Sequence, residues 1–205
     1  MTNGGYDDGY RRCPCFWGQE PGSLVKAFIS KHSDIIEGLD VLDAGCGEGK
    51  NSVAFANAGA NVSAVDCSNF AIDNAQRQWP TEGVNWICSD VSRLLFHQNQ
   101  FDVVILYGLT HCFANIQEVL SLVGRLKNAT KVGGYHIYCA FNDRYQELEA
   151  HAGFSPLLLS HHQHADLYSD WELSEKSDED LNEVHPHNNI PHTHSMTRII
   201  ARSMK

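Results

Sequence analysis

Val41-Leu42-Asp43-Ala44-Gly45-Cys46-Gly47-Glu48-Gly49 decides how this chain reads. A short apolar run over residues 39–42 has strand character. It leads through Asp43 into three glycines at alternate positions, after which residues 51–58 take a helical pattern. Glycines in such a turn let the backbone reverse sharply and let a ligand approach the main chain closely. In α/β sheets that ligand sits at the carboxyl ends of the strands, near the topological switch point. Nineteen residues beyond Gly47, Asp66 closes a second strand over 61–65, where an acid can accept hydrogen bonds from ribose hydroxyls. The spacing is G-x-G-x-G, not the G-x-G-x-x-G of a dinucleotide site, and no G-x-x-x-x-G-K-[ST] phosphate loop occurs. Asp43 and Glu48 so close to the glycines would repel a pyrophosphate and suit a cationic ligand that carries an ammonium group.

Working outward, residues 23–36 have helical apolar spacing between Gly22 and Gly38. Ser68 is placed to cap a helix that reaches about Trp79. A third strand over 84–88 ends before Asp90. The continuous apolar run 101–106 suits a strand covered on both faces. Residues 117–126 read as a helix, 131–134 as a turn and 135–141 as a fifth strand. Two tail segments, 171–175 and 196–201, are expected as an antiparallel hairpin at a sheet edge. Strands alternating with helices require crossover connections, so the sheet should be mostly parallel, with seven strands and helices on both faces. Residues 1–22, with Tyr6, Tyr10, Phe16 and Trp17, read as a lid segment ahead of a single domain over 23–205.

Composition narrows the function. With 205 residues, 42% of them hydrophobic, the chain can bury a core without disulfides. Twenty-five acidic residues against fifteen basic ones give a net charge of −10, a poor match to nucleic acid or an anionic membrane surface. No apolar run approaches the ~20 residues of a membrane span, and residues 1–22 lack a secretory apolar region. Seven cysteines, an odd number scattered through strands and loops, read as reduced thiols in a cytoplasmic protein.

Taken together, the motifs resemble those of the class I S-adenosylmethionine-dependent methyltransferases. Residues 41–49 are similar to the cofactor loop, Asp66 to the ribose-binding acid, and Ser89-Asp90-Val91 to the adenine-contacting motif. Phe101-Asp102-Val103-Val104 resembles the fourth-strand motif, and Lys131-Val132-Gly133-Gly134 the turn before strand five. The resemblance implies a Rossmann-like α/β fold and S-adenosyl-L-methionine as methyl donor, with S-adenosyl-L-homocysteine as product. It further implies that Asp43 orders the donor's ammonium and that Gly45, Cys46 and Gly47 lie against its methionine part. Asp66, Cys67 and Ser68 would surround the ribose, Asp90 and Val91 the adenine, and Tyr107 would border the site. Within the class, the layout is closest to the small tellurite-resistance (TehB-type) and thiol methyltransferases, through Trp17-Gly18-x-x-Pro21, Gly49-x-Asn51-Ser52, Trp171-Glu172, Glu183-Val184-His185 and Ile200-Ala201-Arg202.

The partner this implies is a small-molecule methyl acceptor, on a monomer or homodimer, with neither nucleic acid nor membrane. An amine, thiol or chalcogen oxyanion needs no dedicated base, whereas an alcohol or phenol favours a histidine. The candidates are His111, His185 and Tyr10 for catalysis, and Tyr6, Trp17, His111, Asn142, His187 and His192 for the acceptor. Where TehB-type proteins place arginines beyond the histidine, this chain has Pro186, His187, Pro191 and His192, which disfavours an oxyanion. Residues 142–205 hold eight of the twelve histidines. Two His-x-His pairs could hold a metal, but methyl transfer requires none, so pocket lining is the reading adopted and no metal ligand is assigned. Cys13-Pro14-Cys15 and the acidic run 178–180 read as surface turn and solvated loop. The competing functions are a methyltransferase-like ligand sensor or metal-handling protein, and an O-methyltransferase with a histidine base.

Overall fold

The computed structural model describes residues 5–80, 82–149, 154–184 and 189–204. In chain order they form α1 (Asp7–Arg12), α2 (Ser23–Lys31), β1 (Asp40–Ala44), α3 (Lys50–Asn57), β2 (Asn61–Asp66), α4 (Asn69–Gln78) and β3 (Val84–Cys88). There follow β4 (Phe101–Tyr107), α5 (Ile116–Ala129), β5 (Thr130–Gln146), α6 (His161–Asp166), β6 (Glu172–Val184) and β7 (Pro191–Arg202). One seven-stranded sheet takes the order β3-β2-β1-β4-β5-β7-β6. The first five strands pair in parallel, and β7 runs antiparallel to both β5 and β6. The strand order reverses between β1 and β4, which opens a crevice at their carboxyl ends.

Alternation along the strands divides the core in two. Leu42, Val104, Leu106 and Tyr138 join one apolar cluster with α5 residues Val119, Leu122 and Leu126. Val41, Val103, Ile105 and Ile137 join a second with Leu24, Val25 and Phe28 of α2 and Phe55 of α3. Side-chain caps start α4, α5 and α6. Ser68 accepts from the Ala71 N–H at 3.2 Å, and Asn115 accepts from the Glu118 N–H at 3.1 Å.

Several boundaries differ from the sequence reading, each for a physical reason. The helix expected over 23–36 stops at Lys31, and His32 closes it through the carbonyl of Phe28. The expected turn at 131–134 lies within β5, whose pairing with β4 shifts register there. The tail hairpin is much longer than 171–175 and 196–201. Strand β6 is exposed along nearly all its length, so it shows no apolar alternation. The acidic run 178–180, read as a loop, is therefore part of an edge strand. Asp178 and Asp180 pair with Arg144, and Glu179 pairs with Arg198. Short polar α1 and α6 left no periodic signal.

His136 and His164 are structural. Burial lowers His136 to about 3 and His164 to about 4, so both rings are neutral. His164 Nε2 donates to the Phe141 carbonyl at 3.1 Å, which leaves Nδ1 to accept from the Tyr138 hydroxyl at 2.6 Å.

Two glycine substitutions test the packing. Gly49 has φ +80°, and an added Cβ would fall 2.2 Å from the Trp86 ring. Gly49→Ala should destabilise the fold by about 2–4 kcal/mol, combining left-handed strain with overpacking. Gly124, exposed within α5 with no atom within 4 Å of a built Cβ, should gain about 0.5–1 kcal/mol on Gly124→Ala. Urea unfolding of both variants checks the pair.

Candidate active site

The carboxyl ends of β1, β2 and β4 open on a cavity of about 300 Å³ whose wall includes Gly45, Cys46, Gly47, Glu48, Asp66, Cys67, Tyr107 and Leu109. Its volume falls at the lower end of the range for small-molecule sites. A second hollow of about 600 Å³ lies at the opposite end of the sheet, lined by Asp40, Asn61, Gly83 and Gln100, away from the glycine loop.

Gly45, Gly47 and Gly49 all have positive φ, at 75°, 53° and 80°. The loop they form is pinned from β2. The N–H groups of Gly45 and Cys46 both donate to the Val65 carbonyl, at 2.8 and 2.9 Å. The Gly47 N–H donates to Asp66 Oδ2 at 2.8 Å, while Asp66 Oδ1 accepts from the Ser68 N–H at 2.9 Å. Burial raises the Asp66 carboxyl from its ordinary value despite these bonds. The Cys46 thiol is driven far up by burial and by the carboxylates of Asp66 and Asp43, which leaves it a small neutral group and not a nucleophile.

A second layer lies over the loop. Tyr6, Tyr10, Trp17 and Gly18 form part of the cavity wall. Trp17 Nε1 donates to the Tyr10 hydroxyl at 3.0 Å, and the Tyr6 ring lies edge-on to Trp17 at 5.1 Å and tilted against Phe154 at 5.2 Å. Glu48 fastens this segment. Its carboxylate accepts the N–H groups of Cys15 at 2.8 Å and Phe16 at 2.6 Å, and Asn74 Nδ2 at 2.8 Å. Lys50 donates to the Trp17 carbonyl at 2.6 Å, and Gly22 N–H donates to Asn51 Oδ1 at 2.8 Å. Glu48, Lys50, Asn51 and Asn74 were missed as site residues. The sequence marks Glu48 only as a charge beside the loop; nothing local shows that its partners come from residues 15 and 16.

Across the cavity, His111 is buried beside Phe141, with the rings stacked 4.3 Å apart at 10°. The Phe141 N–H donates to His111 Nδ1 at 3.4 Å. Glu183, Leu181 and Met196 complete this end of the wall. Burial raises the Glu183 carboxyl, opposed by its neighbours His192 and Lys50.

The remaining sequence candidates sit elsewhere. Asp43 is buried beneath the loop, off the cavity wall, and accepts from Ser52 Oγ at 2.6 Å. Ser68 caps α4 and is likewise off the wall. Asp90 caps a short 3₁₀ turn by accepting from the Ser92 N–H at 2.9 Å, and Val91 enters the core. Asn142 does not reach the cavity. It is fully buried and ties Asp178 at 2.8 Å and Thr197 at 3.2 Å, because β5 continues past the point where a loop was expected. His192 lies behind Glu183, at 3.5 Å. His185 and His187 lie outside the described residues.

The sequence profile described as "Tellurite resistance protein TehB" matches residues 24–195. The chain belongs to the TehB family. It is 26% identical over 153 residues to "Probable S-adenosyl-L-methionine-dependent methyltransferase TehB" of Haemophilus influenzae, a match covering 74% of this chain and 52% of that protein. It is 36% identical over 115 residues to "Cypemycin N-terminal methyltransferase" of Streptomyces sp, covering 56% of this chain and 46% of that one. The chain thus spans about half the length of the curated relatives it matches. A solved structure described as "Conversion of a Disulfide Bond into a Thioacetal Group during Echinomycin Biosynthesis" superimposes with a TM-score of 0.72 at 23% identity, over 98% of this chain and 92% of that one. The fold is the Rossmann-like fold of class I S-adenosylmethionine-dependent methyltransferases. Among the described residues, no helix is long and apolar enough to cross a membrane.

Two outcomes follow from this geometry. Hydrogen bonds to a charged group are worth about 1.5–3 kcal/mol, so Glu48→Gln should speed amide exchange at Cys15 and Phe16 by about 10-fold or more, with Phe141 unchanged, by hydrogen-exchange NMR. Burial pushes Asp43 up to about 7, against the lowering effect of Ser52. The folded chain therefore holds a proton there that the unfolded chain releases above about pH 4. The stability so contributed is full below that pH and is lost as pH rises through about 7. Asp43→Asn should flatten the decline in Tm between about pH 4 and 7; an equal decline in the variant would contradict this account.

Proposed function

We propose that this chain transfers a methyl group from S-adenosyl-L-methionine to a small-molecule nucleophile and releases S-adenosyl-L-homocysteine. The observation that carries the reading is the left-handed glycine loop at the switch point, with Asp66 at the next strand tip. Each carboxylate oxygen has a further lone pair beyond its backbone bond, so Asp66 retains acceptor capacity for ribose hydroxyls. Gly45 and Gly47 let the methionine part approach the main chain, with Cys46 as a small neutral neighbour. Cys67 follows on the cavity wall at the tip of β2, and Asp90 and the Val91 main chain lie beyond the wall, past the tip of β3, on the adenine side.

The donor's positive sulfur supports a role for the aromatic layer. Ring faces of Tyr6, Tyr10 and Trp17 favour a cation and exclude water from the reacting carbon. Residues 5–22 would then act as the lid over the donor. In the reaction, the acceptor lone pair forms a bond to the methyl carbon as the carbon–sulfur bond breaks, and its electron pair stays on the neutral thioether. An amine or thiol then gives up its proton to water or to a nearby base. The work left to the protein is alignment and exclusion of water. His111, Tyr107, Glu183 and Met196 border the acceptor end. The acceptor class is an amine, a thiol or a chalcogen oxyanion, processed in the cytoplasm without nucleic acid or membrane.

S-Adenosylhomocysteine at about 100 times its Kd should raise stability by about 2.7 kcal/mol, which for this size of chain is about 5–10 °C in Tm. Asp66→Asn should remove most of that shift while leaving the melting transition cooperative. Labelled methyl donor incubated with a panel of amines, thiols and chalcogen oxyanions then identifies the acceptor. No shift with either donor or product would overturn the assignment.

A further inference from the structure

Glu183 on β6 pairs directly with His192 on β7, and His194 is the next residue on the same face of β7. The side chains converge: Glu183 Oε1 lies 3.5 Å from His192 Nε2 and 3.7 Å from His194 Nε2, and one ligand atom from each residue falls within 4.8 Å of the others. The histidine side chains are 2% and 0% exposed.

Hydrogen bonding makes Nδ1 the donor nitrogen of each ring. His192 Nδ1 lies 2.8 Å from the Ile190 carbonyl, which can only accept. His194 Nδ1 lies 2.7 Å from Gln146 Oε1. The Gln146 amide is itself oriented, because its Nε2 donates to the carbonyls of Asn142 at 2.8 Å and Ser195 at 2.9 Å. Both rings therefore donate from Nδ1, and in their neutral form both turn an Nε2 lone pair toward the same carboxylate oxygen. Two imidazole lone pairs and a carboxylate oxygen converging on one point are the donor set of a metal ion.

The spacing suits a metal ion. Charge-assisted N–H···O bonds run about 2.7–2.9 Å, shorter than either contact here. Tetrahedral coordination with bonds of about 2.0–2.2 Å has ligand–ligand edges of about 3.3–3.6 Å, which the Glu183–His192 distance meets and the Glu183–His194 distance exceeds slightly. We propose that Glu183, His192 and His194 form a binding site for a divalent transition-metal ion of the zinc class. Gln146 and the Ile190 carbonyl are the partners that orient its imidazoles, as in known metal sites where the second ring N–H is anchored. Three protein ligands leave one tetrahedral position open. Glu183 is the ligand that borders the cavity, so an oxygen or sulfur ligand entering from the cavity could fill it. The metal site stands independently of the methyl-transfer reading; only the identity of that fourth ligand as the acceptor rests on it.

The test uses the untagged full chain, stripped with a chelator and titrated with Co²⁺, followed by d–d absorption, and with Zn²⁺ in competition. Expected are about one equivalent of ion and a spectrum of low-symmetry four-coordinate cobalt. Glu183→Gln and His192→Gln should each weaken binding by at least about 100-fold, and Gln146→Ala by about 10–100-fold. Circular dichroism and a cooperative melt establish that each variant is folded, and the two ligand variants act as checks on one another. Absence of the cobalt band in the wild type would overturn the proposal. So would folded variants that bind as tightly as the wild type, which would move the ion to cysteines or other histidines. Failure of the methyl-donor reading would appear separately, as the lack of a thermal shift with S-adenosylhomocysteine in metal-free wild type.

Discussion

The carboxylate of Asp66 is the hinge of this architecture. One oxygen takes the N–H of Gly47 and the other that of Ser68, so a single side chain joins the loop after β1 to the start of α4. The loop accepts this only because its alternate residues adopt positive φ, which L side chains tolerate poorly. Burial raises the Asp66 carboxyl, so the arrangement carries a cost in the free protein. A ligand presenting hydroxyls and positive charge to the same oxygens would relieve it. An electrostatic penalty therefore falls where the sheet opens a crevice, as expected of a site organised for binding.

The residues ahead of α2 depend on that loop. Glu48 holds the backbone of Cys15 and Phe16 from inside the loop, and Asn74 of α4 joins the same carboxylate. The aromatic layer over the cavity is thus tied to the same short sequence that forms the floor. At the far end, the β6–β7 hairpin supplies Glu183 to the wall and carries two buried histidines behind it. The cavity has one end built from strand tips and glycines, and another built from side chains of an antiparallel hairpin. That division suits a shared cofactor region and a variable acceptor region.

Much of the parallel half was legible in the sequence. Apolar runs ending in acids or glycines mark β1, β2 and β4, and Ser68 as a cap follows from residue type alone. The hairpin was legible only in part, because β6 is an edge strand whose exposed, charged residues carry no alternation. In the site, Gly45, Gly47, Asp66, Cys67, Tyr10, Trp17 and His111 come together around one cavity. Asp43, Asn142 and His192 do not reach it, since a residue's proximity in sequence to a strand tip does not say which way its side chain turns. Glu48 and Glu183 act through partners 26–33 residues and 9–11 residues away. Only the fold reveals such pairings. The His-x-His spacing did announce that two rings share a face, but the carboxylate opposite them depends on strand register.

A crystal structure of the chain with S-adenosylhomocysteine bound tests the central claim most directly. The account predicts nucleoside density at the carboxyl ends of β1 and β2, with the ribose hydroxyls within hydrogen-bond reach of the Asp66 carboxylate and the thioether sulfur turned toward Tyr10 and Trp17. Density at another place, or a ribose held by other groups while Asp66 keeps only its backbone bonds, would contradict it.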